Sequence, residues 1–246
     1  MQLEQLLIDT LPEMDRALED LVRLVPPAQQ VKFKNGFVFR HAEKLTQQAI
    51  VQKLSRIPSG LRAAQILCDA GYFQEQGALQ RIIDEISEDV IFLSLPILFG
   101  KEEDAHRNYL NAFFAEEFDP FSGNSISEQR PMVPRKKIRA IIANSPLGAQ
   151  DPSGLIAVSR TISKACSGFV HGASPHIMDT YDGNPPHFNT KGMLGTQRES
   201  EYKKDIVNYY YRGLSSFLVG ARTLGHQPCF NRLYHISGAY NSLGVG

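Results

Sequence analysis

Lys164, His171, His176, Asp179, Asp182 and His187 crowd into one short stretch of this chain. An imidazole beside a carboxylate can work as an acid/base pair, with the carboxylate orienting the ring, or can hold a divalent metal. His176 and Asp179 stand three residues apart and would share one face of a continuous helix. Lys164 and His171 stand seven apart, so on a helix their azimuths differ by only about 20° at roughly 100° per residue. A cation and a ring placed so can meet one phosphate or carboxylate, with the ring able to pass a proton. On this reading His171, Lys164, His176 and Asp179 are the catalytic candidates, with His171 at the centre. Two other readings stand beside it. The histidines can simply close carbonyls at a helix end or bond within the core, or His171, His176 and Asp179 can ligate a metal. The spacing matches no HExxH-type site, so neither metal nor cofactor is assigned.

Other groups carry less. Ser174-Pro175 can restart a helix, with Ser174 as N-cap and free N–H groups able to face an anion. Arg135, Lys136, Lys137 and Arg139, with Arg130, Arg160 and Lys164, could form a positive patch for nucleic acid, but no aromatic is interleaved from 130 to 140 for base stacking, and the run is read as a solvated helix face. Asp84, Glu85, Glu88 and Asp89 are an acidic set on the polar face of a helical segment, and they invite a di-metal carboxylate reading. Glu103-Asp-Ala-His106 is a single Glu-x-x-His, where a di-metal carboxylate bundle needs two. Cys68, Cys166 and Cys229 have no CxxC spacing and read as reduced core thiols. There is no phosphate-binding loop, dinucleotide fingerprint or nucleophile elbow.

The elements that must hold these residues are helical. Apolar residues make up 42% of 246 and charged residues 21%, a balance that permits a sizeable core. Lys plus Arg equals Asp plus Glu at 26 each, so overall charge names no partner. Helical spacing predicts helices over 2–24 (broken near Pro12), 41–56, 59–70, 79–93, 101–118, 135–144, 151–173 and 202–224, with a short turn at 233–239. Leu155, Val158, Ile162, Ala165, Phe169 and Val170 form the expected buried face of the 151–173 helix. Asn35-Gly36 marks a small β-hairpin near 31–39. The fold class is therefore all-α, an irregular helical bundle. It is read as a single helical domain over 1–246, the alternative division being 1–118 and 135–246 around a proline-rich loop at 119–134. Lys164–Ala173 echoes Arg212–Ala221, both reading basic-x-x-Ser-small-Phe-x-x-Gly-Ala. The echo predicts a close helix crossing at Gly168/Gly172 and Ser216/Gly220. The first segment lacks a signal-peptide pattern and Val90–Phe99 is too short to span a bilayer, so the expected setting is cytoplasmic, with no membrane partner.

The pattern at Ala70–Glu85, followed downstream by Lys164–Gly172 with its Ser-Gly-Phe-Val-His-Gly, resembles the HEPN-like helical proteins of bacteria. The resemblance implies a compact bundle, several of whose members are linked to RNA cleavage or phage defence. It further implies RNA or a nucleotide as partner. Active HEPN ribonucleases carry an Arg and a His with four to six residues between them. Lys164 and His171 match that spacing, with an ammonium in place of the bidentate guanidinium. A homodimer completes the expectation, and a non-enzymatic interaction module is the alternative from another class.

Overall fold

The computed structural model describes residues 3–126, 132–148 and 151–244. Helices α1 (Leu3–Val22), α2 (Thr46–Asp69), α3 (Phe73–Phe99), α4 (Asp104–Phe113), α5 (Arg135–Ala143), α6 (Pro152–His171), α7 (Ser174–Met178), α8 (Glu199–Thr223) and α9 (Gln227–Ser242) make the bundle. Two antiparallel hairpins, β1–β2 (Gln29–Phe33 and Gly36–Arg40) and β3–β4 (Tyr181–Gly183 and Pro186–Phe188), are appended to it. The fold is all-α with a small hairpin where the sequence predicts one. Arg130 and residues 127–131 of the expected loop lie outside the described residues, as do the side chains of Leu155 and Val158.

Helix α3 is the spine, packing on α2, α5, α6 and α8, while α1 and α9 close the far side of α2 and α8. Leu54, Ile57 and Leu61 of α2, Phe73, Val90 and Leu93 of α3, and Leu214 and Phe217 of α8 are fully buried. Each such side chain stabilises the fold by about 1.5–3 kcal/mol relative to exposure. One apolar cluster runs from Leu6 to Tyr240, so first and last helices share a core. Among the described residues no helix is long and apolar enough to cross a membrane.

Proline misled the boundary assignments. The break expected near Pro12 is absent, and α1 runs through it. Pro12 is exposed, so the carbonyl it strands can meet water. The expected restart at Pro58-Ser59 is absent too: α2 is one helix with Pro58 buried inside it. Leu54, Ile57 and Leu61 pin both halves to the core, and the Ser59 hydroxyl donates to the Arg56 carbonyl rather than capping. Pro96 likewise lies within α3, which ends at left-handed Gly100. The turn at 233–239 is a full helix, α9. The first hairpin turns at Lys34-Asn35, one residue before the expected pair, with Phe33 opposite Gly36. Hairpin β3–β4 was not foreseen.

Candidate functional site

Helices α6 and α8 both lie along α3 but leave a cleft between them, floored by α3. Two cavities of about 390 and about 320 Å³ share Ile162 and Arg212 and are the two ends of this cleft. A volume of this size suits a small-molecule ligand.

The first end is closed by α7. His176 and Asp179 both line it, with Phe169, Arg198 and Tyr202. A side chain at Gly168 would collide with the His176 ring, its Cβ falling 2.0 Å from Cε1. The missing side chain is what lets the ring lie on α6. There the His176 Nε2–H donates to the Ala165 carbonyl at 2.8 Å, which fixes the ring proton on Nε2 because a carbonyl can only accept. Nδ1 is buried and has no hydrogen-bond partner among the described residues. Phe169 stands edge-on to the ring at 4.4 Å and fits against α3 only because Gly77 has no side chain. Asp179 accepts from the Tyr202 hydroxyl at 3.2 Å and pairs with Arg198 at 2.8 Å. Burial, then the Asp179 charge, holds the Tyr202 phenol far above its ordinary range, so it stays a donor.

At the floor, Gln80, Asp84 and Ser87 follow one another along one side of α3, 4%, 9% and 8% exposed. Among the described residues, Gln80 Nε2, Asp84 Oδ2 and Ser87 Oγ have no hydrogen-bond partner. The other Asp84 oxygen accepts from Arg212 at 2.5 Å, while burial pushes its carboxyl above the usual range. Cys166 Sγ and the Tyr209 hydroxyl bridge the two walls at 3.4 Å. Burial raises both groups, so neither is a ready nucleophile or base.

The sequence-derived set therefore divides. His176 and Asp179 line the cleft, whereas Lys164 and His171 are exposed on α6 and do not line it. Asp182 and His187 pair across β3–β4, exposed and outside it. His171 does not join His176 and Asp179 in a ligand cluster. Among the described residues the His, Cys, Asp and Glu atoms that do gather are those of Asp20, His226 and Cys229. There His226 Nδ1 accepts the Cys229 N–H as a cap and Asp20 pairs with Arg232.

Comparison with family models, with curated proteins and with solved structures returns no match. The geometry alone has to carry the reading.

Three further expectations change. The basic run is largely spoken for: Arg135 pairs with Asp89 and Arg139 with Glu88, so the acidic set and the basic run are each other's partners. The glycine echo marks no crossing, since Gly168 seats His176 and Gly220 seats Leu54 of α2. Ser174 is the first residue of α7 and Ala173 its cap, and five residues make no anion site. Gln80 and Ser87 were missed. Their only signal is a polar residue recurring at steps of three and four on the spine helix, which a solvated face also shows.

Proposed function

We propose that this chain is a binding protein for a nucleoside or nucleotide, free or as an exposed base of RNA, seated in the α6–α8 cleft. The observation that carries the reading is the floor of buried, unpartnered donors and acceptors at Gln80, Asp84 and Ser87. Such atoms are costly when left unmet, and their residues line a cavity of ligand size. The amide edge of a base offers adjacent donors and acceptors to match them, and Phe169 and Tyr209 bring aromatic surface to the walls. Arg81, Arg139, Arg198 and Arg212 are each paired with a carboxylate, so the cleft is close to charge-balanced. That favours one base over a run of phosphates. The resemblance to HEPN-like proteins points to the same partner class. Binding is favoured over catalysis because His176 spends its ring proton on Ala165 and the cleft thiol is held protonated.

Calorimetric titration with the four ribonucleoside monophosphates tests this. At least one should bind, and Gln80→Leu should weaken it by about tenfold while the protein stays folded. No heat from any of them at about 1 mM, or equal binding by the variant, overturns the reading.

A further inference from the structure

None of the residues from Gly172 to Gly192, which carry α7 and β3–β4, is buried. A stretch of that length with no side chain in the core has little hydrophobic hold on the bundle. It is organised within itself all the same. Tyr181 meets Phe188 across the hairpin, their rings 5.1 Å apart. Asn189 donates to the Thr180 carbonyl through both its backbone N–H and its side-chain amide. In α7 the Ile177 N–H donates to the Ala173 carbonyl and the Asp179 N–H to the Pro175 carbonyl. A segment bonded inwardly and loosely outwardly turns as one body.

Both of its ends are built to turn. Gly172 and Gly192 have φ of +59° and +103°, where a glycine is least strained. A Cβ at Gly192 would also fall 2.6 Å from the Ala70 carbonyl oxygen. Beyond these glycines the chain is anchored. Cys166 and Gly168 of α6 are buried on one side, and Met193 on the other, its N–H donating to the Gly71 carbonyl at 2.8 Å. Between the segment and the start of α3 lies a gap of about 230 Å³, with Thr180, Asn189 and Thr190 on one side and Tyr72, Phe73 and Gln74 on the other.

Side-chain contacts hold the segment down over the α6–α8 cleft. His176 donates to the Ala165 carbonyl and meets the edge of Phe169. Asp179 accepts from the Tyr202 hydroxyl and pairs with Arg198. The Arg198 side chain is 50% exposed and shares its charge with Glu201 at 3.1 Å, so its pair with Asp179 is weak and screened by salt. His176 and Asp179 are therefore wall of the cleft and fastening of its cover at once.

We propose that residues 173–191 are a hinged flap turning about Gly172 and Gly192, and that release of Asp179 from Tyr202 and Arg198 opens the first end of the cleft, given that the cleft is the ligand site proposed above. A ligand lying between floor and flap bonds to both only when the flap is down, so binding and closure are linked.

Cys166 reports opening without any ligand. It lines the covered end and is 6% exposed, whereas Cys68 and Cys229 sit in the core at 1% and 0%. Labelling of the full chain with N-ethylmaleimide, followed by peptide mass spectrometry, gives the rate at each thiol. Asp179→Ala should speed Cys166 about tenfold and leave Cys68 and Cys229 at parent rates. Arg198→Gln, on an exposed side chain, should speed it about threefold, with circular dichroism confirming the fold of both variants. Raising NaCl from about 0.05 to about 0.5 M should speed Cys166 in the parent and not in Asp179→Ala. Equal Cys166 rates in parent and Asp179→Ala, or equal acceleration of all three thiols, overturns the proposal. If labelling behaves as expected while no ribonucleoside monophosphate binds, the flap stands and the nucleotide reading falls; nucleotide binding with an unchanged Cys166 rate in Asp179→Ala gives the reverse.

Discussion

Two polar stripes run down the same helix, α3, and they have opposite fates. On one side Glu88 and Asp89 meet α5 and α2: Asp89, with its side chain 1% exposed, takes both Lys53 at 2.8 Å and Arg135 at 2.5 Å, and Glu88 takes Arg139 at 2.7 Å. On the other side Gln80, Asp84 and Ser87 face the α6–α8 cleft with an atom each unpaired. The first stripe is ion-paired to neighbouring helices and holds the bundle together. The second is buried yet lacks partners for one atom of each residue, and a polar atom left so beside a cavity is what a ligand can use. Polarity in a core therefore has to be judged by what it touches, not by its presence.

The sharpest way to break this comparison is Asp89→Ala. It strands Arg135 and Lys53 in a partly buried setting and should lower stability by about 3–5 kcal/mol, read from urea unfolding. A melt like that of the parent would mean the ion-paired stripe holds nothing. Gly168→Ala comes next, because a methyl there displaces the His176 ring and its bond to Ala165. A loss of about 1–3 kcal/mol is expected, and the His176 ring signals in NMR should move with it.

The pH response of His106 is smaller. Its ring is pushed below the ordinary value of 6.5 by burial. At pH above 6.5 it is neutral in both folded and unfolded chains, and its contribution to stability is full. As pH falls below that, the unfolded chain takes a proton that the buried ring refuses. Stability is then lost with a slope approaching about 1.4 kcal/mol per pH unit. His106→Asn, which retains an acceptor for the Glu103 N–H, should remove that part of the slope. Parent and variant with identical slopes would count against a neutral, buried ring.

Gln80→Leu sharpens the comparison from the other side. Deleting an unpaired donor should leave stability equal or raise it by up to about 1 kcal/mol, the opposite sign from Asp89→Ala. A large loss would show that Gln80 has a partner and belongs with the first stripe. The smallest effects belong to Lys164→Ala and His171→Ala, which should stay within about 0.5 kcal/mol of the parent because both side chains are exposed. Any RNA cleavage lost in these variants without a stability change would assign chemistry to the outer face of α6 instead of the cleft.

Much of this was legible beforehand in one sense and illegible in another. Helical periodicity in residues such as Ile83, Ile86, Val90 and Leu93 reports burial directly, because every third or fourth residue meets the same neighbour. Pro58 was misread because a proline's local penalty is visible in sequence while the packing of Leu54, Ile57 and Leu61 that outweighs it is not. His176 with Asp179 was legible from spacing. His171 was grouped with them because sequence distance was short, but left-handed Gly172 turns the chain between α6 and α7 and sends the two histidines to different surfaces.

The sequence by itself determined the all-α class, the first hairpin, the positions of most helices and the nearness of His176 to Asp179. These depend on local period and local turn chemistry, which neighbouring residues carry among themselves. Only the tertiary structure decided that the basic run of α5 answers the acidic face of α3. It alone decided that Gly168 seats a histidine rather than a crossing helix. It also separated the ion-paired polar stripe from the one lacking partners. Each of those outcomes joins residues far apart in the chain, and whether a buried polar atom finds a partner depends on which helix happens to lie across it.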